Sequence, residues 1–296
     1  GTMKLKTIAW GGVLAASLSL GITGLADGSA LAWDHGVFSS TLTASKPYSS
    51  AAGQAGSSTP QLVVGSGGPN PAGFDKCSYL SESQMSELWS TGNYGWVGVY
   101  AGGQDAYCQN FPSASWFNTI ESQGWFVEPI WVGPQSQCSG YSAFSNNPST
   151  AYSQGEQQAH LAYTALQDEG FDVSGGGVPI VYDLEKFAPN GTGCQVAAEE
   201  FIKGWDATLP RQLPGVYGSA GGSFIANLTG APAPAFIWGS DWGTGSNPAY
   251  LPPIPNGDWN NNQRLKQYQG NVSIAVGGGS AVVDLDEADG PLYSNY

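Results

Sequence analysis

The chain has 296 residues, with 23 Asp and Glu against nine Lys and Arg, so its formal net charge is -14. So few cations cannot neutralise a run of phosphates, and the charge therefore excludes a nucleic-acid partner. An acidic surface is typical of a protein that must stay in solution outside the cell. The length allows one large domain or two small ones.

The first residues predict an export signal. Residues 3–32 begin with two lysines, continue through an apolar stretch at 8–25, and end in Ala-Leu-Ala at 30–32, a small-residue cleavage site. No Arg-Arg pair precedes the apolar stretch, which favours general secretion. Residues 1 and 2, which precede Met3, are interpreted as a cloning remnant. An uncleaved membrane anchor is the alternative, but Gly and Ser interrupt the apolar stretch, so we expect cleavage, no stable membrane insertion, and a secreted or cell-envelope location.

The next segment has the composition of a linker. Ser, Gly, Ala and Thr dominate residues 33–70, and large apolar side chains are too few there to build a core. The folded domain is therefore predicted at 71–296. Past residue 32 no stretch is apolar enough to cross a membrane.

Eight short strands are predicted in that domain, each rich in β-branched or aromatic residues and bounded by Gly or Pro. They lie at 72–75, 96–100, 125–132, 178–185, 215–218, 235–238, 265–268 and 282–286. Helical patterns at 81–91, 113–123, 150–169 and 195–209 alternate with the earlier strands. This alternation predicts a parallel α/β fold, and eight such strands fit a (β/α)8 TIM-like barrel. Because no amphipathic helix separates the last strands, the barrel should be irregular in its last third.

Four cysteines follow the first four predicted strands, and an even number in an exported chain predicts two disulfides. They are Cys77, Cys108, Cys138 and Cys194. Neighbouring loops on the carboxyl-terminal face of the barrel favour the pairs Cys77–Cys108 and Cys138–Cys194. The sequence has no closely spaced cysteine pair and only two histidines, so neither a zinc site nor any other metal or cofactor is expected.

Acidic residues cluster at the predicted strand ends. Asp75 ends the first strand, Asp183 and Glu185 the fourth, and Asp284 and Asp286 the eighth. The carboxyl ends of barrel strands open on one face, where active sites form. Residues two apart share a side of a strand, so both pairs should point towards the barrel axis. Crowded carboxylates raise at least one pKa, which supplies the acid and the base that glycosidic cleavage needs.

Other interpretations of these acids stay open. Single Asp residues often cap helices or order loops. A ring of oxygens also suits a divalent cation, although residues 284–290 match a calcium loop only faintly and with the wrong spacing. A non-catalytic glycan-binding module and a metal-dependent esterase or phosphodiesterase are therefore alternatives to a glycosidase.

Aromatic residues are numerous, with 11 Trp and 14 Tyr, and those near strand ends are candidates for stacking on sugar rings. Most of the others should pack in the core. The substrate-binding candidates are Tyr100, Trp131, Tyr217, Trp238, Trp242, Gln267 and Tyr268.

Seven short motifs follow one another in a specific order. They are Gly-Phe-Asp-Lys-Cys at 73–77, Val-Gly-Val-Tyr-Ala-Gly-Gly at 97–103, Pro-Ile-Trp-Val-Gly at 129–133, Tyr-Asp-Leu-Glu at 182–185, Gly-Val-Tyr-Gly-Ser at 215–219, Ile-Trp at 237–238 and Gln-Tyr at 267–268. In this order the chain resembles the actinobacterial glycoside-hydrolase-like domain family, which is related to family 25 lysozymes. The resemblance covers about residues 71–293 and implies a TIM-like barrel exported to the envelope.

The resemblance also implies roles for the acids. In family 25 lysozymes the catalytic carboxylates form an Asp-x-Glu at the end of strand four, with further Asp on the first and last strands. These positions correspond to Asp183 and Glu185, to Asp75, and to Asp284 or Asp286, with Glu185 as the general acid. Trp-Gly-Ser-Asp-Trp at 238–242 departs from the Trp-x-Ala-x-Trp expected at strand six, which changes the expected sugar site.

The leading hypothesis is therefore a secreted glycoside hydrolase. Its partner would be a cell-wall, peptidoglycan-type or extracellular polysaccharide, and we expect a monomer. A non-catalytic glycan-binding module on the same barrel is the alternative.

Overall fold

The computed structural model describes residues 62–63, 70–108, 110–185, 187, 192–221, 223–228 and 233–295. All of them belong to the second of two units, Ala55–Tyr296. The predicted export signal at 3–32 and most of the predicted linker at 33–70 lie outside the described residues. The domain boundary at residue 71 stays a prediction.

Eight strands, numbered here β1 to β8, close into a barrel in chain order. They are β1 Ala72–Lys76, β2 Trp96–Gly102, β3 Phe126–Trp131, β4 Pro179–Asp183, β5 Leu213–Ser219, β6 Phe236–Ser240, β7 Arg264–Val276 and β8 Gly279–Asp289. Each strand from β1 to β6 runs parallel to the next. The predicted α/β TIM-like barrel is confirmed.

The last strand departs from the predicted all-parallel arrangement. β8 pairs antiparallel with both β7 and β1, so the parallel prediction is wrong for this strand. The cause is a two-residue turn, because Val276 pairs with Gly279 and the φ angles of Gly277 and Gly278 between them are 64° and 70°. Positive φ at both central residues is typical of a tight hairpin. A hairpin thus replaces a crossover helix, as the expected irregularity of the last third suggested.

Helices cover the outside of the barrel. They are α1 Glu82–Ser90, α2 Ala114–Gln123, α3 Pro148–Asp168, α4 Thr192–Thr208 and the short α5 Ser223–Ala226. Ser81 caps α1 as predicted, since its side chain accepts from the Gln84 N–H while Gln84 accepts from the Ser81 N–H. No helix in these ranges has the length and hydropathy needed to cross a membrane.

The strands separate two apolar layers. Residues that face outward pack against the helices, including Phe74, Val127, Trp131, Tyr182 and Val216. Residues that face inward fill the barrel, including Trp96, Ile130, Val181, Phe236, Trp238 and Leu265. Because side chains alternate along a strand, the face of each neighbouring residue follows from these two sets.

Covalent and strand contacts tie the loops and ends to the barrel. Cys77–Cys108 joins the loops after β1 and β2, and Cys138–Cys194 joins the loop after β3 to α4, with Cα atoms 5.6 and 6.1 Å apart. Both predicted disulfides are thereby confirmed. Leu62–Val63, within the predicted linker, pairs antiparallel with Pro291–Leu292.

Candidate active site

The five predicted acids meet at one end of the barrel, although not all by the predicted route. Asp183 is the last residue of β4, and Glu185 follows two positions later. Asp284 lies in the middle of β8 and pairs with Asp75 near the end of β1, while Asp286 lies one inward position deeper, opposite Gly73. Because β8 is antiparallel, Asp284 reaches the mouth from the middle of its strand and not from a carboxyl end.

These acids differ sharply in exposure. Asp75 and Asp183 are each 5% exposed and Asp286 is fully buried, whereas Glu185 is exposed. Asp75 and Asp183 line a small cavity under the mouth, which Tyr217 and Trp238 also line. The buried acids therefore form a floor, and Glu185 lies above it where a ligand would arrive first.

Gln267 joins Asp75 to the aromatic wall. Its Nε2 donates to Asp75 Oδ2 at 2.7 Å. Its Oε1 accepts from the Tyr217 hydroxyl and from Trp242 Nε1, both at 3.0 Å. Every polar atom of the amide is therefore engaged, which fixes the orientation of Asp75 and of both aromatic side chains.

Asp75 and Asp286 form a buried carboxyl pair. Burial raises the pKa of Asp286 well above its ordinary value, and the charge of Asp75 raises it further. Burial also raises the pKa of Asp75, followed by the charge of Asp284, while hydrogen bonds from Gln267 and Asp286 oppose the rise. Asp286 Oδ1 accepts from Trp238 Nε1 at 3.0 Å. The proton of the pair therefore favours Asp286, and the hydrogen bond from Asp286 favours the ionised form of Asp75.

Asp183 is a second neutral carboxyl. Burial raises its pKa well above the ordinary range, and the charges of Glu185 and Asp75 add to the effect. Its Oδ1 is buried without a hydrogen-bond partner in the part of the chain that the structure describes. The site thus combines a protonated carboxyl with neighbouring carboxylates, the pairing that acid–base chemistry requires.

A groove with two lobes crosses the mouth, and Tyr100, Asp183 and Glu185 line both lobes. The Cys77 lobe, a cavity of about 400 Å³, is further lined by Cys77, Asp105, Tyr107, Gln135, Tyr141 and Ser142. The Trp242 lobe, a cavity of about 580 Å³, is further lined by Tyr217, Ser219, Ser240, Trp242, Gln267 and Asp284. The Asp-x-Glu pair therefore lies at the middle of the groove.

Gln135, which the sequence analysis missed, braces this pair. The side chain is 1% exposed and lies in the loop after β3. Its Oε1 accepts from the Glu185 backbone N–H at 2.7 Å, and its Nε2 donates to the carbonyls of Asp183 at 2.9 Å and Gly133 at 3.0 Å. Just where β4 ends, the Gln135 amide thus makes the backbone hydrogen bonds that a neighbouring strand would otherwise make.

The predicted substrate-binding residues divide into two groups. Tyr100, Tyr217, Trp238, Trp242 and Gln267 line the groove or the small cavity beneath it.

Two of the predicted residues lie elsewhere. Trp131 faces outward, where its Nε1 donates to Gln158 Oε1 of α3 at 2.9 Å. Tyr268 follows the inward-facing Gln267 and lines neither lobe. The structure therefore does not bring these two aromatic side chains to the groove.

Several residues of the Cys77 lobe carried no motif in the sequence. Asp105 and Tyr107 lie in the loop after β2, and Tyr141 and Ser142 lie in the loop after β3. Their one signal in the sequence is nearness to a cysteine of a predicted disulfide, because Tyr107 adjoins Cys108 and Tyr141 lies three residues after Cys138. Disulfides between mouth loops bring such neighbours towards the groove.

The acids of the described site are not arranged as a metal site. Within the described ranges, no three His, Cys, Asp or Glu side chains are grouped so that they could hold one ion. The acids are instead spread along the groove and down into the barrel.

A closed barrel with carboxyl groups converging at its mouth is the architecture of glycoside-hydrolase-like proteins. The family model described as "Rv2525c-like, glycoside hydrolase-like domain" matches residues 87–288, which is more than half of the chain. The chain belongs to this family. Asp75 and Cys77 precede the matched residues, so their placement at the site comes from the structure. No curated protein matches the chain.

The chain is similar to several solved structures. An uncharacterized B. stearothermophilus protein has a TM-score of 0.51 and 18% identity, over 75% of this chain and 99% of that one. The Clostridium perfringens spore cortex lytic enzyme SleM has a TM-score of 0.48 and 15% identity, over 76% and 69%. The modular autolysin LytC from Streptococcus pneumoniae has a TM-score of 0.45 and 15% identity, over 75% and 46%. At such identities the first similarity shows a shared fold.

Proposed function

We propose that the chain is a secreted glycoside hydrolase that cleaves a cell-wall or extracellular polysaccharide. The observation that carries the proposal is the position of Asp183 and Glu185 at the centre of a two-lobed groove, above the buried carboxyl of Asp75. Membership of a glycoside-hydrolase-like family supports the same reaction class.

The proposed roles follow from depth in the site. Glu185, exposed and facing both lobes, would donate a proton to the glycosidic oxygen as its bond to the anomeric carbon breaks. Asp183, whose pKa burial raises, would keep a proton next to Glu185 and help to set the electric field around it. Asp75 would act as the base or nucleophile, and water would supply the hydroxyl group of the new reducing end.

Aromatic side chains on both sides of the acids support a glycan ligand. Tyr107 and Tyr141 are 96% and 61% exposed in the Cys77 lobe, and Trp242 is 54% exposed in the other lobe. Large aromatic faces left in solvent suit stacking on the C–H faces of sugar rings. Each lobe has a volume within the usual range for small-molecule sites.

Export is part of the proposal. The predicted signal at 3–32 would direct secretion, and the two disulfides suit an oxidising compartment outside the cytosol. The proposed partner is a peptidoglycan-type or other extracellular glycan.

The test is release of reducing ends from purified cell-wall glycans and a polysaccharide panel. Glu185→Gln should lower turnover by about 10²–10⁴-fold while leaving glycan affinity intact, because it removes the transferable proton and keeps the shape. Asp183→Asn should also reduce turnover, because the amide cannot take up or release a proton beside Glu185. Glu156→Gln on α3 is the matched control that should not reduce it. A chelator should have no effect.

The alternative, a non-catalytic glycan-binding module, has its own support in the exposure of Trp242, whose indole N–H is held by Gln267. Under this alternative the wild type should release no reducing ends but should still bind a glycan. Trp242→Ala should then abolish that binding. Release by the wild type that survives Glu185→Gln unchanged would overturn the proposed general acid.

A further inference from the structure

We infer that the groove selects glycans whose sugars carry free amines, such as N-deacetylated glucosamine chains, over neutral or acidic glycans. The inference rests on the proposed function only in taking the ligand to be a glycan. It goes further by assigning the charge of that glycan.

Carboxyl groups occur along the whole groove. Asp105 lines the Cys77 lobe, Asp284 lines the Trp242 lobe, and Asp183 and Glu185 lie between them. Among the described residues that line the two lobes, none is Lys, Arg or His. Lys186, next to Glu185 in the sequence, lies outside the described residues. Burial raises the pKa of Asp183 and keeps it neutral, so the negative charge of the groove comes from its other acids. A cleft lined by one sign of charge concentrates ligands of the opposite sign.

The cations nearest in sequence to the groove residues of β7 are already engaged elsewhere. Lys266 precedes Gln267 but faces outward and is fully buried, where its Nζ donates to the Tyr250 carbonyl at 2.7 Å and lies 3.4 Å from Asp241 Oδ2. Arg264 is 2% exposed and its guanidinium donates to backbone carbonyls at 249, 255 and 258. Neither side chain can neutralise the groove.

Two of the groove carboxyls have acceptor atoms without donors. Asp183, 5% exposed, has no hydrogen-bond partner for Oδ1, and Asp105 has none for Oδ2, within the described part of the chain. A buried acceptor without a partner costs free energy that a bound donor recovers. A protonated amine offers three donors to these acceptors and a charge opposite to that of the ionised acids of the groove, whereas a uronic acid offers another acceptor and a repelling charge.

The spacing of the acids favours an organic polycation over a metal ion. No three acidic, His or Cys side chains in the described ranges are grouped around one point. The carboxyls are distributed from one lobe to the other instead. Cations repeated along a polymer match such a distribution, and the exposed Tyr107, Tyr141 and Trp242 can stack on the sugars or attract their ammonium groups.

The experiment measures binding of three oligosaccharides of matched length to the full chain by calorimetry in mildly acidic buffer. They are a β-1,4-glucosamine oligomer, its fully N-acetylated counterpart, and a galacturonic acid oligomer. The free-amine oligomer should bind about tenfold tighter than the acetylated one at low salt, and added salt should reduce that advantage. The acidic oligomer should not bind.

Variants that each remove one carboxyl group show which acids cause the preference for the free-amine oligomer. Asp105→Asn and Asp284→Asn should each weaken binding of the free-amine oligomer without weakening that of the acetylated one. Asp168→Asn is the control, since it removes one charge from the end of α3 far from the mouth. If Asp168→Asn weakens binding as much as Asp284→Asn, the oligomer is attracted by the net charge of the whole protein and not by the groove, and the inference fails.

The outcomes separate this inference from the proposed function. Equal or tighter binding of the acetylated oligomer overturns the amine preference but does not contradict the proposed glycoside hydrolase. Tight binding of the free-amine oligomer without cleavage supports the preference and counts against hydrolysis. Failure of all three oligomers to bind overturns the preference, and release of reducing ends from the wider panel then decides the proposed function separately.

Discussion

Gln135 Oε1 accepts the backbone N–H of Glu185 at 2.7 Å, so a buried loop side chain holds the outermost acid of the site by its main chain. The same amide donates to the Asp183 carbonyl at 2.9 Å. On the other side of this segment, the Leu184 N–H donates to the Tyr217 carbonyl of β5 at 3.1 Å. The Asp-x-Glu segment is thus held from both sides, which positions Glu185 although its side chain is exposed.

Gln135→Leu should therefore reduce both stability and turnover. It removes the Gln135 partner of one backbone N–H and two backbone carbonyls, which should cost about 1–3 kcal/mol of unfolding free energy. Displacement of Glu185 should lower turnover by about 10–100-fold, since small misplacements of a reacting group are costly. Urea unfolding and reducing-end release measure the two effects.

Gln212 provides the matched control at the opposite end of β4. It is 6% exposed, accepts from the Val178 N–H at 3.0 Å and donates to the Val173 carbonyl at 2.8 Å. Gln212→Leu should lose similar stability and keep its turnover per folded molecule. If both variants lose turnover equally, Gln135 is only a structural residue.

Removal of either disulfide should lower stability by a similar amount, but the two removals should differ in their effect on glycan binding. The bonds close loops with sequence separations of 31 and 56 residues, so each double Cys→Ser variant should lose about 3–4 kcal/mol of unfolding free energy. Cys77 and Cys108 also line the groove, whereas Cys138 and Cys194 do not. Loss of the first bond should therefore weaken glycan affinity more than loss of the second, as titration calorimetry would show. Equal losses of affinity would contradict this difference.

Glu128 should make the protein less stable as pH rises. It lies on the inward face of β3, is fully buried, and has no hydrogen-bond partner for either oxygen among the described residues. Burial raises its pKa well above the ordinary value, so the folded state keeps a proton that the unfolded state releases above pH of about 4.5. Its stabilising contribution is complete below that pH and is lost as pH rises towards the folded-state pKa.

Glu128→Gln tests that linkage. The slope of unfolding free energy against pH, measured by urea unfolding between about pH 5 and pH 8, should become less negative by about 1.4 kcal/mol per pH unit. Other buried acids, such as Asp206 and Glu169, leave a residual slope in both proteins. An unchanged slope in the variant would show that Glu128 is ionised in the folded state.

The sequence predicted the barrel because its strands obey simple local rules. Strand segments such as 96–100 and 178–185 are short, apolar and bounded by Gly or Pro, and helix caps such as Ser81 act within four residues. Because active sites form at the carboxyl ends of barrel strands, Asp75 and Asp183 were expected at the mouth, which is where the structure has them. The antiparallel β8 was missed because Gly277-Gly278 was not recognised as a hairpin turn, although two adjacent glycines between alternating strands indicate one.

The sugar-binding residues were harder to predict. Trp131 and Tyr268 are aromatic residues near strand ends, yet the period of two places Trp131 on the outward face, opposite Ile130. Tyr268 lies where the register of β7 shifts between Gln267 and Gln269, and it lines neither lobe. Gln135, Asp105 and Tyr141 act from loops, whose contacts depend on tertiary packing and follow no short-range pattern. Only their nearness to cysteines marked these loops in the sequence.

The most direct test of the proposed hydrolysis is cleavage of cell-wall glycans in heavy-oxygen water, followed by mass spectrometry of the products. Hydrolysis adds one oxygen from water to each new reducing end, so the wild type should release fragments that each carry one heavy oxygen. Glu185→Gln should release about 10²–10⁴-fold less of them. Absence of labelled fragments from the wild type, while a glycan still binds, would contradict the hydrolase and identify a binding protein.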